Sequence, residues 1–172
     1  MKQSVAALIA LSITLGLVSA CQTQMPEYDV VIRHGVIYDG SGTTPVEADL
    51  AITGDRIMAI GDLTRSTGKT EIDASGMAVA PGFINMLSWA HESLIQDGRS
   101  LSDIQQGVTL EVMGEGVSMG PLNDKMKQTL LERQNDIRFD VEWTTLGEYL
   151  QYLEDRGVST NVASFVGAAS VR

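Results

Sequence analysis

Residues 100–116 read SLSDIQQGVTLEVMGEG, and this stretch decides the fold of the second half of the chain. Ser100 to Gln106 predicts a short helix that Gly107 ends, because glycine adopts the left-handed conformation at little cost. Val108 to Met113 follows as an apolar run of strand length, which is typical of a buried strand. Glycines on both sides of Glu115 then indicate a loop. A short helix that leads directly into a buried strand is part of an α/β repeat.

The same alternation continues on both sides of this stretch. Phe83 to Leu87 is a short apolar run that predicts a preceding strand. Asn123 is a suitable N-cap for a helix that runs to about Ile137. Thr145 with Glu148 forms a capping box for a helix through Asp155, and Asn161 to Val166 predicts a third strand. Strands that alternate with helices predict a parallel sheet with right-handed crossovers.

Residues 28–80 show a different pattern, with short period-two runs between turn residues and no helix. His34-Gly35 is expected to separate two strands, a turn or loop is expected at residues 39–42, and a hairpin is expected around Gly54-Asp55. Several short strands at close spacing predict a small β-sandwich or a partial barrel. The predicted strands are Asp29–Ile32, Val36–Tyr38, Ala48–Thr53, Arg56–Ile60, Glu71–Asp73 and Met77–Ala80.

Residues 1–20 have the features of a targeting segment that is removed from the mature protein. Val5 to Val18 is apolar but shorter than the roughly 20 residues that span a bilayer. The sequence VSAC at residues 18–21 resembles the lipobox of bacterial lipoproteins, which predicts lipidation of Cys21. The alternative is an ordinary secretory signal that is cleaved after Ala20 and leaves Cys21 as a free thiol.

Residues 21–27 are short and polar and are expected to form a tether. Gln22 resembles the outer-membrane sorting pattern, so the expected location is exported, lipid-anchored and on the periplasmic face of the outer membrane. The whole chain has 12 Lys and Arg against 22 Asp and Glu, and loss of Lys2 with the signal leaves a net charge of −11. Such acidity argues against nucleic acid as a partner.

Several stretches, in this order and spacing, resemble the metal-dependent amidohydrolases. The later ones narrow the resemblance to the N-acyl-D-amino-acid deacylase (D-aminoacylase) branch. The stretches are YDVVIRHG (28–35), YDGSG (38–42), ADLAITGDRI (48–57), APGFIN (80–85), QGVT (106–109) and NVASFVG (161–167).

The resemblance implies that residues 28–80 are the N-terminal β-domain of an amidohydrolase. It also implies that residues 81–172 begin a TIM-type (β/α)8 metallo-hydrolase barrel. A closed barrel needs upwards of about 200 residues. The expected fold is therefore α/β with β: a small β-sandwich domain followed by the first three strands of an incomplete barrel, truncated at Arg172.

The chain departs from the family pattern after the first barrel strand. Leu87 and Trp89 stand where the family carries the two histidines of a His-x-His pair, and neither side chain binds metal. His91 could serve as a ligand only after a register shift, and the alternative is a hydrogen-bonded or surface histidine. We expect Trp89, Glu92 and Ser118 to line the substrate pocket, with simple packing as the alternative for Trp89.

A second departure follows the second barrel strand. The deacylases carry Gly-Asn-Cys-Gly there, and their cysteine holds zinc, whereas this chain has Gly114-Glu115-Gly116. A carboxylate is a competent zinc ligand, and this end of a barrel strand is where the fold places its chemistry. Glu115 is therefore the predicted metal ligand, and an exposed turn glutamate is the alternative.

The resemblance predicts that the whole protein is a zinc-dependent amidohydrolase acting on carbon–nitrogen bonds other than peptide bonds. Its substrates would be small N-acyl-D-amino acids. The family's other ligands and its general base fall beyond Arg172, and the chain has only His34 and His91. The chain alone is therefore expected to contain no catalytic residue and to be inactive. The alternatives are a non-catalytic substrate-binding lipoprotein on a degenerate barrel and a cyclic-amide hydrolase on the same fold.

Overall fold

The computed structural model describes residues 26–171. The predicted signal peptide, Cys21 and most of the predicted tether lie outside the described residues. The described chain divides into two compact units, one ending at Ala80 and the other beginning at Pro81. Within this part of the chain, every helix is too short or too polar to cross a membrane.

The first unit is one mixed β-sheet built around its longest strand. Strand β1 pairs antiparallel with β2 on one edge and parallel with β4 and then β5 on the other, and β3 extends the sheet beyond β2. These strands form a single layer, and the second sheet of the predicted β-sandwich is not found among residues 26–80. The strands are β1 (Glu27–Ile37), β2 (Val46–Thr53), β3 (Arg56–Gly61), β4 (Thr67–Asp73) and β5 (Ala78–Val79).

The prediction of two separate strands on either side of His34-Gly35 is wrong. Strand β1 continues through both residues, and its pairing with β2 shifts register between Ile32 and Gly35, as in a β-bulge. His34 adopts φ 57°, and its backbone N–H donates to Asp49 Oδ1 at 2.9 Å. At Gly35 a Cβ would lie 2.5 Å from Val79 Cγ2, so glycine permits close strand approach there. The predicted hairpin between β2 and β3 is confirmed.

A partly buried guanidinium joins three strands of this sheet. Arg33 on β1 donates to Asp49 Oδ2 on β2 at 3.1 Å and to Glu71 Oε1 on β4 at 2.8 Å. It also donates to the backbone oxygens of Leu63 and Ser66. Burial raises the pKa of Asp49, but hydrogen bonds from the His34 N–H and from Arg33 outweigh it and hold the pKa below its usual 3.8.

The second unit is an α/β layer with three parallel strands. The strands lie in the order β6-β7-β8, which confirms the predicted parallel sheet. The side chains of Asn123 and Thr145 cap their helices as predicted. Helix α3 ends at Arg133, short of the expected Ile137, because Gln134 leaves the helical conformation. The elements are β6 (Phe83–Asn85), α1 (Ser93–Gln96), α2 (Leu101–Ile104), β7 (Val108–Met113), α3 (Asp124–Arg133), α4 (Leu146–Arg156) and β8 (Asn161–Ser164).

An aromatic core holds the helices of this unit against β7. Trp143 and Tyr149 are almost fully buried, with ring centroids 5.1 Å apart, and pack with Leu153 and Met113. The Trp143 indole donates to Met119 O at 2.6 Å, which satisfies its only polar group. The core therefore fixes the segment around Met119, which follows β7 and borders a cavity at the ends of the parallel strands.

Candidate functional site

The loops that follow all three parallel strands meet at one cavity of about 350 Å³. In parallel α/β folds, ligands bind at the carboxyl ends of the strands. Helix α3 forms a further wall of the cavity. The loop residues that line it are His91 and Glu92 after β6, Val117, Ser118, Met119 and Leu122 after β7, and Ala169 and Ser170 after β8. The structure thus brings together the predicted site residues His91, Glu92 and Ser118.

Ser118 ties the loops together from a buried position. Its backbone N–H donates to Ser170 Oγ at 3.0 Å, and its own hydroxyl donates to Gly120 O and accepts from the Gly167 N–H at 2.9 Å. A Cβ at Gly167 would lie 2.6 Å from Gly116 O, so only glycine allows the loop after β8 to lie this close to the loop after β7. The Ser118 hydroxyl is therefore engaged in shaping the cavity wall.

His91 lies half-buried at the mouth of the cavity. Burial lowers the pKa of His91, and the opposing effect of Glu92 is smaller, so the imidazole is neutral at pH 7. The hydroxyl of Tyr149 donates to the His91 backbone oxygen at 2.8 Å. Burial also raises the pKa of Tyr149 above its usual 10, and nearby Glu92 adds to the effect. Tyr149 was not predicted as part of the site, and its only sequence signal is its place on the buried face of α4.

Two predicted site residues lie away from the cavity lining. Glu115 is exposed in the turn after β7, and Trp89 is 65% exposed with its ring 6.3 Å from that of His91. Among residues 26–171, no three His, Cys, Asp or Glu side chains come together as a metal site. The described residues therefore do not by themselves fit a zinc centre, and ligation by Glu115 or His91 stays a prediction.

Sequence reasoning missed a polar pair that joins β6 and β7 and includes a fully buried carboxylate. Glu111 on β7 is 0% exposed, and its Oε2 accepts from Asn85 Nδ2 on β6 at 3.0 Å. The second oxygen, Oε1, has no hydrogen-bond partner among the described residues. The available signal was a carboxylate inside the apolar run of β7, where a charged residue is rarely tolerated without a partner.

Comparison with known proteins gives consistent relatives, although no protein-family model matches the chain. The chain is 35% identical over 155 residues to D-aminoacylase of Alcaligenes xylosoxydans xylosoxydans. The matched region makes up 88% of this chain and 31% of the relative. A crystal structure of D-aminoacylase superimposes with a TM-score of 0.70 at 31% identity, over 84% of this chain and 30% of that one.

A second solved relative is the N-acyl-D-glutamate deacylase of Bordetella bronchiseptica, complexed with zinc and a phosphonate inhibitor. It superimposes with a TM-score of 0.69 at 30% identity, over 84% of this chain and 30% of that one. The chain thus spans about a third of the length of the relatives it matches. By sequence and by fold, the chain belongs to the N-acyl-D-amino-acid deacylase (D-aminoacylase) branch of the amidohydrolases.

Proposed function

We propose that the whole protein hydrolyses the amide bond of small N-acyl-D-amino acids. The relationship to D-aminoacylase and to N-acyl-D-glutamate deacylase carries this proposal. In the reaction the C–N bond breaks, water supplies a hydroxyl to the acyl carbon, and the amine leaves with the remaining proton. The cavity at the carboxyl ends of β6, β7 and β8 supports the proposal because it lies where this class of fold places its ligands.

The fold of the whole protein belongs to the same proposal. Three parallel strands with helical crossovers are the repeat from which a (β/α)8 barrel is made, and this supports the proposal that β6, β7 and β8 are the first strands of such a barrel. The sheet of the first unit would be one layer of a small β-sandwich domain. Exposed apolar side chains on both sheets are consistent with further covering layers, as at Ile60, Ile72 and Ile84.

Zinc is the metal proposed for the whole protein, with Glu115 among its ligands. A solved relative is complexed with zinc, and Glu115 follows β7 at the end of the strand where barrels place chemistry. Replacing Glu115 by Ala in the whole protein should abolish bound zinc, measured by elemental mass spectrometry of dialysed protein. Glu132→Ala, an exposed carboxylate on α3, is the matched control and should keep its zinc. Unchanged zinc in Glu115→Ala would remove Glu115 from the ligand set.

The 172-residue chain alone is proposed to be inactive. It has only two histidines, and no trio of ligand side chains forms among residues 26–171. Purified chain should bind less than one equivalent of zinc and release no amine from N-acetyl-D-leucine. Turnover by this chain would contradict the proposal that the catalytic groups lie elsewhere in the protein.

The rival function is non-catalytic binding of the same ligands by a lipoprotein. It is favoured by Leu87 and Trp89, which stand where the family carries histidines. Mass spectrometry of N-acetyl-D-leucine recovered from the whole protein separates the two functions. Recovery as acetate and D-leucine supports hydrolysis, whereas quantitative recovery of the intact compound after prolonged incubation supports the binding protein.

We also propose that the mature protein is anchored in the membrane by lipid on Cys21 and faces the periplasm from the outer membrane. The sequence VSAC at residues 18–21 supports this anchor, and two acyl chains are enough for stable attachment. The intact mass of protein extracted from the membrane fraction should show an acylated N-terminal cysteine. Cys21→Ala should move the protein to the soluble fraction, and membrane retention of this variant would contradict the anchor.

A further inference from the structure

The cavity at the carboxyl ends of β6, β7 and β8 has one wall that the proposed reaction does not use. Helix α3 contributes Lys125, Thr129 and Arg133, which are spaced four residues apart and so follow one ridge of the helix. Lys125 and Arg133 begin about 12 Å apart along the helix axis, with Thr129 between them. Both side chains are long, so their charges can converge on a ligand held over Thr129.

The positive charges on this wall have no partner within the described chain. Neither Lys125 nor Arg133 takes part in any ion pair formed among residues 26–171. The other titratable side chains that line the cavity are one imidazole, His91, and one carboxylate, Glu92. Two cations against one carboxylate leave the cavity with an excess of positive charge, although the chain as a whole carries a net charge of −10.

The rest of the lining is largely apolar. Met119 and Leu122 are buried with only an edge open to the cavity, and Met126 and Leu130 come from α3 beside the cations. Methionine side chains adapt to ligands of different shape. A ligand that satisfies both parts of the lining must carry an anionic group and an apolar chain.

We propose that this cavity binds an N-acyl amino acid, with Lys125 and Arg133 contacting its carboxylate and the apolar residues covering its acyl chain. The choice of this ligand rests on the proposed function, because a free fatty acid has the same two chemical parts. The volume of about 350 Å³ lies at the lower end of the range for small-molecule sites, which suits a short acyl chain.

Calorimetric titration of the whole protein with N-octanoyl-D-alanine tests this site. Turnover is stopped by a zinc chelator, so that binding alone is measured. The methyl ester of the same compound lacks the charge and should bind at least about tenfold more weakly, as expected for loss of a charged hydrogen bond. Lys125→Gln/Arg133→Gln should weaken binding of the acid by at least about tenfold and leave binding of the ester unchanged.

Arg65→Gln/Arg138→Gln is the matched control, because it removes the same charge from exposed residues outside the cavity. Binding of the acid should stay within about twofold of the unaltered protein, since surface charges contribute little. Three results would overturn the site. They are equal affinity for the acid and the ester, no measurable binding of either compound, and equal losses of affinity in the two double variants. Octanoate binding as tightly as N-octanoyl-D-alanine would overturn its assignment to N-acyl amino acids.

The outcome is separable from that of the proposed function. Hydrolysis is measured independently, without chelator, as release of D-alanine from the same compound. If the acid binds more tightly than the ester but no D-alanine is released, the carboxylate site stands and the proposed hydrolysis is rejected. If Lys125→Gln/Arg133→Gln changes neither kcat nor KM for D-alanine release, the proposed hydrolysis stands and the proposed carboxylate site is rejected.

Discussion

At the scale of single residues, the Asn85–Glu111 pair is unusual because it places a fully buried carboxylate within a sheet of mainly apolar strands. Glu111 is fully buried, and one of its oxygens depends on Asn85 while the other has no partner among the described residues. A half-satisfied polar group in a protein interior costs stability, so a pair of this kind is expected to have a positioning role. Here it links the last residue of β6 to the middle of β7, two strands whose following loops line the cavity.

Replacing Glu111 by Ala should lower the free energy of unfolding by about 1 to 3 kcal/mol, because the part-buried Asn85 amide loses its acceptor and the buried side chain leaves a cavity. The urea midpoint of the whole protein measures this change. Glu115→Ala, an exposed glutamate four residues later, should shift the unfolding free energy by less than about 0.5 kcal/mol. Equal effects of the two substitutions would show that the pair does not stabilise the sheet.

Asp49 gives the first unit a pH dependence of predictable sign. Its folded pKa lies below the unfolded value, so its stabilising contribution is present above about pH 4 and is lost as pH falls through the folded pKa. Asp49→Asn should cost about 1.5 to 3 kcal/mol at pH 7 through loss of charged hydrogen bonds.

Urea unfolding between pH 6 and pH 2.5 measures how this cost changes. The difference between the unaltered protein and Asp49→Asn should shrink steadily below pH 4. Asp55→Asn removes an aspartate that is almost fully exposed and should cost less than about 0.5 kcal/mol at pH 7. A difference that stays constant across the range would contradict the assigned role of Asp49.

At the scale of elements, local chemistry decides where α4 begins. Thr145 Oγ1 accepts from the Glu148 N–H at 3.1 Å, and the Glu148 carboxylate accepts from the Thr145 N–H at 2.8 Å. Thr145→Ala should cost about 1 kcal/mol of stability, whereas Thr145→Ser keeps the hydroxyl and most of the stability. Equal unfolding midpoints for the two variants would show that the cap does not stabilise α4, and with it the buried face that carries Tyr149.

Elements with strong local chemistry could be predicted from the sequence, and those set by long-range pairing could not. The bounds of β7 and the capping of α3 and α4 depend on residues within one or two turns, and the structure matches those predictions. The break predicted at His34-Gly35 failed because these residues resemble a turn locally. A bulge that is held by Asp49, fifteen residues later, keeps β1 continuous.

At the scale of the whole molecule, the sequence predicted Trp89, Glu92 and Ser118 in one pocket, and in the structure Glu92 and Ser118 line the cavity whereas Trp89 does not. It could not show that the Ser118 hydroxyl is committed to Gly120 and Gly167, since those contacts depend on how the loops fold. Lys125 and Arg133 were missed for the same reason, because only the folded helix turns them towards the cavity.

Amine release from paired N-acetyl-D- and N-acetyl-L-amino acids by the whole, zinc-loaded protein tests the central claim most directly. The proposed function predicts release of the free amino acid from the D-compounds, with kcat/KM at least about a hundredfold above that for the L-compounds, a difference of about 2.7 kcal/mol in transition-state binding. No release from any D-compound, under conditions in which the protein binds them, would contradict the assignment as a deacylase and leave the binding lipoprotein as its function.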